Sequence, residues 1–401
     1  MNILFTFNHE LTIGGHFKSG IAFAEQLIKK DYKVFFLVFG GDPQLINQFE
    51  SMNIKVINLT NYDNKENSLL ESHKKNYFYY KSYCKVIDEF KIDIVHAQDS
   101  VKLIPLYFAV GNKRKGFVYS QPGGPFSDKY PPIKSEFFVF SKELVDKYKS
   151  IKKYKSRDIN IISERISSSI YKPSINKYNL KEGISENKIN LMFLMRLHPQ
   201  KKPFIDSLLA FGRSLCNHEI SVNIIVAGDG ELKNYIETNA KSIQLKSKNK
   251  VTWNFIGNIY SETKIAELIN SATAVIGTGR GLMEAMACKK PAIILGENNE
   301  FELIQENNID IISYYNFSGR HFKFHNRENN IKDIIIKLSS NVNLEQISNF
   351  SFNYFESNLN ASIGASKLIY LYKKSLEKKP NILDSFVYSL YRVFISLKLL
   401  T

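Results

Sequence analysis

The chain has 401 residues, of which 44% are hydrophobic and 23% are charged, as in an ordinary folded protein. At roughly 150 residues per domain, this length predicts two or three domains and excludes a peptide or a small disulfide-stapled fold. Lys and Arg number 54 against 39 Asp and Glu, which leaves a net charge of +15. A charge this positive predicts an anionic partner, such as nucleic acid, a phosphorylated small molecule or anionic lipid.

The cysteines and the start of the chain indicate the compartment. The three cysteines, Cys84, Cys216 and Cys288, are too irregularly spaced for a disulfide framework or a Cys-x-x-Cys metal site. The first residues, MNILFTFNHE, lack the basic and apolar regions of a signal peptide, and no apolar run is long enough to span a membrane. We therefore expect a cytoplasmic protein.

Short apolar segments alternate with segments of helical length in the first part of the chain. Asn2 to Phe7 and Lys33 to Phe39 are predicted strands, and Lys18 to Lys29 between them is a predicted amphipathic helix. Further strands are predicted at Ile54 to Leu59, Ile92 to His96, Gly116 to Ser120 and Phe137 to Ser141. The alternation predicts a mostly parallel, doubly wound sheet.

A polar segment, Lys172 to Lys188, interrupts this pattern and is the predicted linker to a second series. Strands of that series are predicted at Ile189 to Met195, Val222 to Ala227, Val251 to Ile256, Ala274 to Gly277 and Ala292 to Leu295. Helix is predicted from about Leu344 to Lys378, followed by an amphipathic helix from Asn381 to Thr401. We therefore expect an N-terminal domain over 1–172, a second over 173–343, and helices over 344–401 that pack back toward the first domain. Two facing Rossmann-like domains would place a ligand in a deep cleft at the carboxyl ends of both sheets.

The segment LMFLMRLHPQKKPF places Arg196 and Lys201 directly after a predicted strand, with Pro203 at the start of the next helix. An Arg fork, a Lys charge and a helix N-terminus together form a phosphate-binding arrangement. The alternative is a pair of solvated basic residues in a turn. In VAGDGEL the turn around Gly230 is a weaker candidate, because such turns are common strand-to-helix connections.

A glycine-rich loop follows the strand at Ala274. It comprises Gly277, Thr278, Gly279, Arg280 and Gly281, and the helix after it is expected to hold Glu284 in its first turn. The loop can cradle a phosphate while Glu284 accepts hydrogen bonds from a ribose. It is not the dinucleotide fingerprint, which would need glycine at Leu282. A plain capping turn is the alternative.

Together these segments resemble retaining glycosyltransferases of family 4, which have the GT-B fold. The resemblance lies in ELTIGGHFKSGIAFAEQL, DIVHAQDS, FFVFSKEL, ERISSSIYKP, MRLHPQKK, VAGDGEL and EAMACKKPAI, in that order. It implies that Arg196 and Lys201 hold the donor pyrophosphate, that Glu284 holds the ribose and that Gly15 lets the first loop approach the phosphate. It also implies sugar transfer from a nucleoside diphosphate, with UDP-sugar expected ahead of GDP-sugar. The absence of Asp-x-Asp fits catalysis without a metal, and no other cofactor is expected.

The sequence departs from the family pattern at two positions. The first of two glutamates usual in the family would fall at Ile276, and the histidine usual in the first domain is replaced in VYSQPGGPFS, where Pro122 precedes Gly123. These departures leave the stereochemistry open. They also keep open a nucleotide-binding protein without turnover. A sugar-nucleotide epimerase of the same fold is a separate alternative, which the basic and aromatic residues of the first domain disfavour.

Four further residues are candidates in the first domain. His96 could contact donor or acceptor, but a hydrogen-bonded core histidine is an equal alternative. His16, Gln121 and Gly123 are candidates on the acceptor side. Asp99 could act as a base, although a helix cap is the favoured interpretation.

The expected acceptor is a glycan or a lipid-linked glycan in surface polysaccharide synthesis of a bacterial cell envelope. Nucleic acid is not expected as a partner. The segment SFVYSLYRVFISLKLL near the C-terminus has a composition suited to a membrane interface. Two interpretations stay open: a helix at the inner face of the membrane, and a helix docked on the protein itself.

Overall fold

The computed structural model describes residues 1–7, 14–59, 69–98, 102–121, 123, 130–175, 188–320 and 327–396. These residues form two compact units. The first unit comprises Met1–Arg165 and Ala361–Thr401, and the second comprises Ile166–Asn360.

The first unit contains a seven-stranded parallel sheet in the order β3-β2-β1-β4-β5-β6-β7. Its strands are β1 (Asn2–Thr6), β2 (Lys33–Val38), β3 (Ile54–Asn58), β4 (Ile94–Ala97), β5 (Gly116–Gln121), β6 (Glu136–Val139) and β7 (Asn160–Ile161). Its first helices are α1 (Gly15–Ile28), α2 (Pro43–Ser51), α3 (Leu69–Glu89), α4 (Leu103–Lys113) and α5 (Lys142–Ser150). The strands are almost wholly buried, as expected when helices cover both faces of a parallel sheet.

The second unit contains a six-stranded sheet in the order β10-β9-β8-β11-β12-β13, in which β13 alone is antiparallel to its neighbour. Its strands are β8 (Ile189–Leu194), β9 (Val222–Ala227), β10 (Val251–Gly257), β11 (Ala274–Gly277), β12 (Ala292–Leu295) and β13 (Phe301–Leu303). Its helices are α6 (Lys202–Leu215), α7 (Lys233–Lys246), α8 (Glu262–Ser271), α9 (Arg280–Ala287), α10 (Ile309–Tyr314), α11 (Arg327–Ser339) and α12 (Asn341–Asn358).

Two last helices, α13 (Ala361–Glu377) and α14 (Ile382–Ser396), belong to the first unit. Side chains of α13 enter the core on the side of the sheet that also holds α1 and α2. On the other side, Tyr388 of α14 joins a core with side chains of α3, α4 and α5. Among the described residues, no helix is long and apolar enough to cross a bilayer.

Two α/β units with Rossmann-like parallel sheets are confirmed, but their boundaries differ from the predicted ones. The chain passes into the second unit after Arg165, before the expected linker, of which residues 176–187 lie outside the described residues. The single helix expected from Leu344 to Lys378 is interrupted between α12 and α13. There Leu359 accepts a hydrogen bond from the Ile166 amide and Asn360 forms a β-bridge with Ile166, so the backbone leaves the helix. Consequently 344–360 belongs to the second unit.

In both sheets the strand order reverses beside the first strand. The reversal lies between β1 and β4 in the first unit and between β8 and β11 in the second. Loops leaving the carboxyl ends of such a pair diverge, and ligands of open α/β sheets bind in the crevice between them. In the second unit, the loops after β8 and β11 are two of the three that the sequence singled out, and the third follows β9.

Candidate active site

Arg196 is held in a loop whose backbone is fixed on both sides. The Met195 amide donates to the Ala227 carbonyl at 3.2 Å, and the Leu197 amide donates to the Asp229 carbonyl at 3.0 Å. Arg196 lies between these two anchors, and its side chain is exposed. The predicted position, directly after β8 at the reversal of strand order, is therefore where the structure places it.

The turn around Gly230 packs against the backbone of this loop. A Cβ at Gly228 would lie 1.9 Å from the Met195 carbonyl oxygen, and one at Gly230 would lie 2.6 Å from the Leu197 carbonyl oxygen. Both glycines also have positive φ, +156° and +145°, which L side chains rarely adopt. In the structure the glycines allow the two loops to pack against each other, which gives Gly230 a supporting role beside Arg196.

Lys201 ends a short 3₁₀ turn and caps the start of α6, with Pro203 in the first turn of that helix. The pKa of the Lys201 ammonium is lowered by burial, and then by the positive charges of Arg320 and Arg196, with Glu297 acting in the opposite direction. Lys201 therefore lies near two other cations. This arrangement favours an anion, since each positive charge raises the cost of leaving the others uncompensated.

Arg320 is the functional candidate that sequence analysis missed. Gly319 before it has a φ of +71°, and a Cβ there would lie 1.9 Å from the Leu295 carbonyl oxygen and 3.1 Å from the Phe204 ring. The backbone thus presses against the end of β12 and the start of α6, which brings Arg320 toward Lys201. The only sequence signal is a Gly-Arg pair in a polar segment, which is too common to be informative.

The glycine-rich loop corrects one expectation. Gly279, at the start of α9, has a φ of +66°, and its amide donates to the Phe317 carbonyl at 2.5 Å. That amide already has a partner and does not join a phosphate cradle. Gly277 ends β11 and Thr278 follows it in the loop.

Glu284 lies in the second turn of α9, not in the first as expected. Its Oε1 accepts a hydrogen bond from Arg280 Nε at 2.7 Å, one turn earlier, and the carboxylate is almost entirely buried. The Glu284 charge also contributes to a raised pKa of the buried Tyr171 hydroxyl, after the larger effect of burial. Glu284 and Arg280 therefore form a buried pair, and contact with a ribose stays a prediction. Ile276, where a first glutamate would stand, is fully buried in the core.

His96 occupies the core position weighed as the alternative to a catalytic role. It is completely buried, and its Nδ1 and Nε2 lie 2.9 Å from the Tyr372 hydroxyl and 3.0 Å from the Ser120 hydroxyl. Burial lowers its pKa to about 3, so the ring stays neutral at physiological pH. The geometry gives His96 no access to a substrate, and we do not propose it as a catalytic residue.

The other candidates of the first unit do not assemble into a site within the described residues. Gln121 is buried, and its Oε1 accepts from the hydroxyls of Tyr119 at 3.0 Å and Tyr148 at 3.3 Å, which corrects its expected place at an acceptor. Gly15 begins α1 with open space around it, and His16 packs 4.6 Å from the ring of Phe17. Gly123 is exposed. Asp99 and Pro122 lie outside the described residues.

With this geometry established, the chain can be compared with known proteins. Residues 174–350 match the family model described as glycosyl transferases group 1. The matched segment contains Arg196, Lys201, Arg320 and the pair Arg280–Glu284. No curated protein sequence matches the chain.

Solved structures similar to the whole chain include three from bacteria. A glycosyltransferase from Rickettsia africae aligns with a TM-score of 0.69 at 16% identity, covering 94% of this chain and 99% of that one. Anabaena HepE, solved with UDP and glucose, aligns with a TM-score of 0.64 at 15% identity, covering 93% of this chain and 100% of that one. A UDP-GlcNAc 2-epimerase from Neisseria meningitidis, bound to UDP-GlcNAc, aligns with a TM-score of 0.59 at 14% identity, covering 93% of this chain and 100% of that one. At these identities the likeness establishes the fold, that of GT-B glycosyltransferases.

Proposed function

We propose that the protein is a glycosyltransferase whose donor is a nucleoside-diphosphate sugar, with UDP-sugar ahead of GDP-sugar. The observation that carries this proposal is the position of Arg196 and Lys201 in the loop after β8, together with the charges of Arg320 and Arg196, which after burial lower the pKa of Lys201. Three cations near the reversal of strand order suit a diphosphate, which brings about two negative charges. The family match over this segment supports the same chemistry.

The proposed reaction breaks the bond between the sugar's anomeric carbon and the diphosphate oxygen. The diphosphate leaves with the electron pair, and an acceptor hydroxyl oxygen forms the new bond to carbon while its proton passes to a base or to the departing phosphate. The negative charge that develops on the leaving group is stabilised by cations already in place, which is the largest contribution in many enzymes. Arg196 suits bidentate contact with phosphate oxygens, and Lys201 acts as a point charge. We propose no metal ion or other cofactor for this step.

We further propose a glycan or lipid-linked acceptor in bacterial cell-surface polysaccharide synthesis. A lipid-linked acceptor requires the enzyme at the membrane, so its proposed place is peripheral, on the inner face. Retention of anomeric configuration is proposed from the resemblance alone, because Ile276 replaces the first acid. An NMR assignment of the product's anomeric proton, taken before the product can equilibrate, would decide between retention and inversion.

The first experiment is thermal unfolding with UDP, GDP, ADP and CMP. At about 100 times Kd, a ligand adds roughly 2.7 kcal/mol to the free energy of unfolding, a shift of several degrees. We expect UDP to stabilise the wild type and to have little effect on Arg196→Ala. If no nucleotide stabilises the wild type, the proposed donor site is wrong.

An epimerase is the second candidate, favoured by the whole-chain likeness to the Neisseria meningitidis enzyme bound to UDP-GlcNAc. An epimerase would convert UDP-GlcNAc to a sugar of inverted configuration without an acceptor. The sugar would either stay attached to UDP or be released together with free UDP. A glycosyltransferase would release UDP in proportion to new glycoside. Incubation with UDP-sugars, with and without a glycan acceptor, followed by NMR of the sugar and assay of UDP, separates the two activities.

A further inference from the structure

Helix α14 is docked on the first unit along one face only. Ser385 is fully buried, and its hydroxyl donates to the Tyr107 carbonyl at 2.9 Å, while the Tyr388 hydroxyl donates to the Tyr130 carbonyl at 2.8 Å. Gly111 of α4 allows this close approach, since a Cβ there would lie 2.6 Å from the Ser385 Oγ. The helix is therefore held firmly by its inner face.

The outer face of α14 is apolar and exposed. Leu383, Val387 and Leu390 are 68%, 61% and 59% exposed. The exposed apolar side chains recur with helical spacing and form what we term the outer stripe: Ile382, Leu383, Phe386, Val387, Leu390, Val393 and Phe394. A continuous apolar stripe on a docked helix marks an interaction surface.

A cavity of about 480 Å³ opens beside the outer stripe, and Val387 belongs to both. Its basic lining residues are Lys134, Lys153, Arg157, Lys374 and Lys378. Its acidic lining residues are Glu136, Asp158 and Asp384. The lining therefore has five positive and three negative groups, a formal excess of two positive charges.

Two of these lysines account for all three carboxylates. Lys134 pairs with Asp384 at 3.1 Å, and Lys374 lies 3.3 Å from both Glu136 and Asp158. The remaining three cations, Lys153, Arg157 and Lys378, form no ion pair with any described residue. The two paired lysines and the three carboxylates together carry a formal charge of −1, so the excess of two positive charges comes from Lys153, Arg157 and Lys378.

The hydrogen bonding of Arg157 is incomplete, and the ammonium of Lys153 faces an aromatic ring. The buried Nη1 of Arg157 has no hydrogen-bond partner among the described residues, although Nη2 donates to Ser135 at 2.7 and 2.8 Å. The Lys153 ammonium lies 2.7 Å from the centre of the Tyr391 ring, and burial followed by the charge of Arg157 lowers its pKa to about 8. A buried guanidinium nitrogen without a partner is costly, and an anion in the cavity that Arg157 lines would offset the charge of that guanidinium.

We propose that the outer stripe of α14 lies in the surface of an anionic phospholipid bilayer and that a lipid phosphate enters the adjacent cavity, contacting Lys153, Arg157 and Lys378. An apolar stripe beside an anion site matches an amphiphile, whose chains and phosphate are likewise adjacent. A second copy of the chain fits less well, because a symmetric contact through the stripe would bring two cationic cavities together. This inference names the lipid site for the proposed peripheral position, but it does not depend on the donor site in the second unit.

The test is co-sedimentation of the full chain with vesicles. One set contains phosphatidylcholine alone and the other contains equal parts of phosphatidylcholine and phosphatidylglycerol. We expect wild type to prefer the anionic vesicles. The double variant Lys153→Gln with Lys378→Gln should bind them about 30-fold more weakly, because each lysine near an anionic surface contributes about fivefold to the affinity. Leu383→Ser with Leu390→Ser should weaken binding by about tenfold or more.

Single-site controls make the same types of substitution in the second unit, and each is compared with the corresponding single substitution in the first unit, Leu383→Ser or Lys378→Gln. Leu245→Ser removes an equally exposed leucine of α7, 75% exposed, and Lys241→Gln removes an exposed lysine of the same helix. Both should bind anionic vesicles as wild type does. Equal weakening by controls and test variants would mean non-specific attraction and would overturn the proposal.

Two other outcomes would also overturn it. Stabilisation by inorganic phosphate without vesicle binding would indicate a site for a free phosphate compound. A dimer in gel filtration that Leu390→Ser converts to monomer, again without vesicle binding, would indicate a second copy on the stripe. Stabilisation by UDP is measured on the same samples. If UDP does not stabilise the protein but vesicles bind, only the donor site is wrong. If UDP stabilises the protein but anionic vesicles do not bind, only the lipid site is wrong.

Discussion

The two sheets reverse their strand order at equivalent places but use polar residues there in opposite ways. In the first unit, His96 is a strand residue of β4, and both ring nitrogens are hydrogen-bonded in the core. In the second unit, Arg196 lies two residues past the end of β8 and is exposed. The difference indicates that a polar residue inside a buried strand is used by the core, whereas one just beyond the strand reaches the surface at the edge where ligands of such sheets bind.

The largest effect that would test this comparison is on stability in acid. The pKa of His96 in the folded protein is about 3, below its ordinary 6.5, because burial disfavours the charged ring. The unfolded chain therefore binds a proton first, and stability is full above pH 6.5 and falls through pH 3 by about 5 kcal/mol in total. Urea unfolding between pH 7 and pH 3 would measure this loss.

The control for this prediction is His96→Gln, which keeps a polar side chain but cannot titrate. At pH 7 it should be less stable than wild type, and the difference should shrink as the pH falls from 6.5. If the difference were constant with pH, or if the variant kept full stability and lost turnover, then His96 would be charged or catalytic and the core assignment would be wrong.

The second prediction concerns neighbouring lysines at the start of α6. Lys201→Ala should lower the rate of UDP release by on the order of 10²-fold, because it removes charge stabilisation of the leaving diphosphate. Lys202 is exposed and its Nζ pairs with Asp206 at 2.8 Å, so Lys202→Ala should change the rate by less than about twofold. Steady-state assay of both variants measures this. Equal effects of the two substitutions would show that general positive charge matters, not the cluster.

The third prediction separates a ligand-binding role of Arg320 from a structural one. Arg320→Ala should weaken UDP binding by about tenfold, the effect of one charge-assisted contact. Its effect on the free energy of unfolding of the free protein should stay within about 0.5 kcal/mol, because the repulsion that lowers the pKa of Lys201 is reduced. Urea unfolding with and without UDP gives both quantities. A loss of stability without UDP, together with unchanged UDP binding, would mean that Arg320 only supports the fold.

Local patterns predicted the sheets and part of the candidate site. Arg196 and Lys201 could be predicted because they follow a long buried strand directly. Residues so close to a strand end in sequence must also lie close to it in space. Arg320 could not, because its position depends on how Gly319 packs against Leu295, a contact between distant segments. The surroundings of His96 depend likewise on Tyr372, which comes from α13 far along the chain.

Element boundaries failed where tertiary contacts override a local period. The apolar spacing from Leu344 to Lys378 is continuous, yet the helix ends at Asn358 because Asn360 bridges to Ile166. Strand β13 has three residues, too few for any period to show. For α14, composition could not decide between docking on the protein and contact with a membrane. One face of the helix is docked on the first unit, and the other face is apolar and exposed.

The smallest predicted effect compares two glycines of the same loop. Gly279 has a φ of +66°, whereas Gly281 has ordinary helical backbone and its nearest neighbour to an added Cβ is Leu194 at 3.9 Å. Gly279→Ala should cost about 1–2 kcal/mol through backbone strain, and Gly281→Ala should gain about 0.5–1 kcal/mol through helix propensity. Thermal unfolding checks both signs. If Gly281→Ala is stable but no longer gains stability from UDP, the open space beside Gly281 is occupied by the donor, and the loop contributes close approach where its Gly279 amide cannot contribute a hydrogen bond.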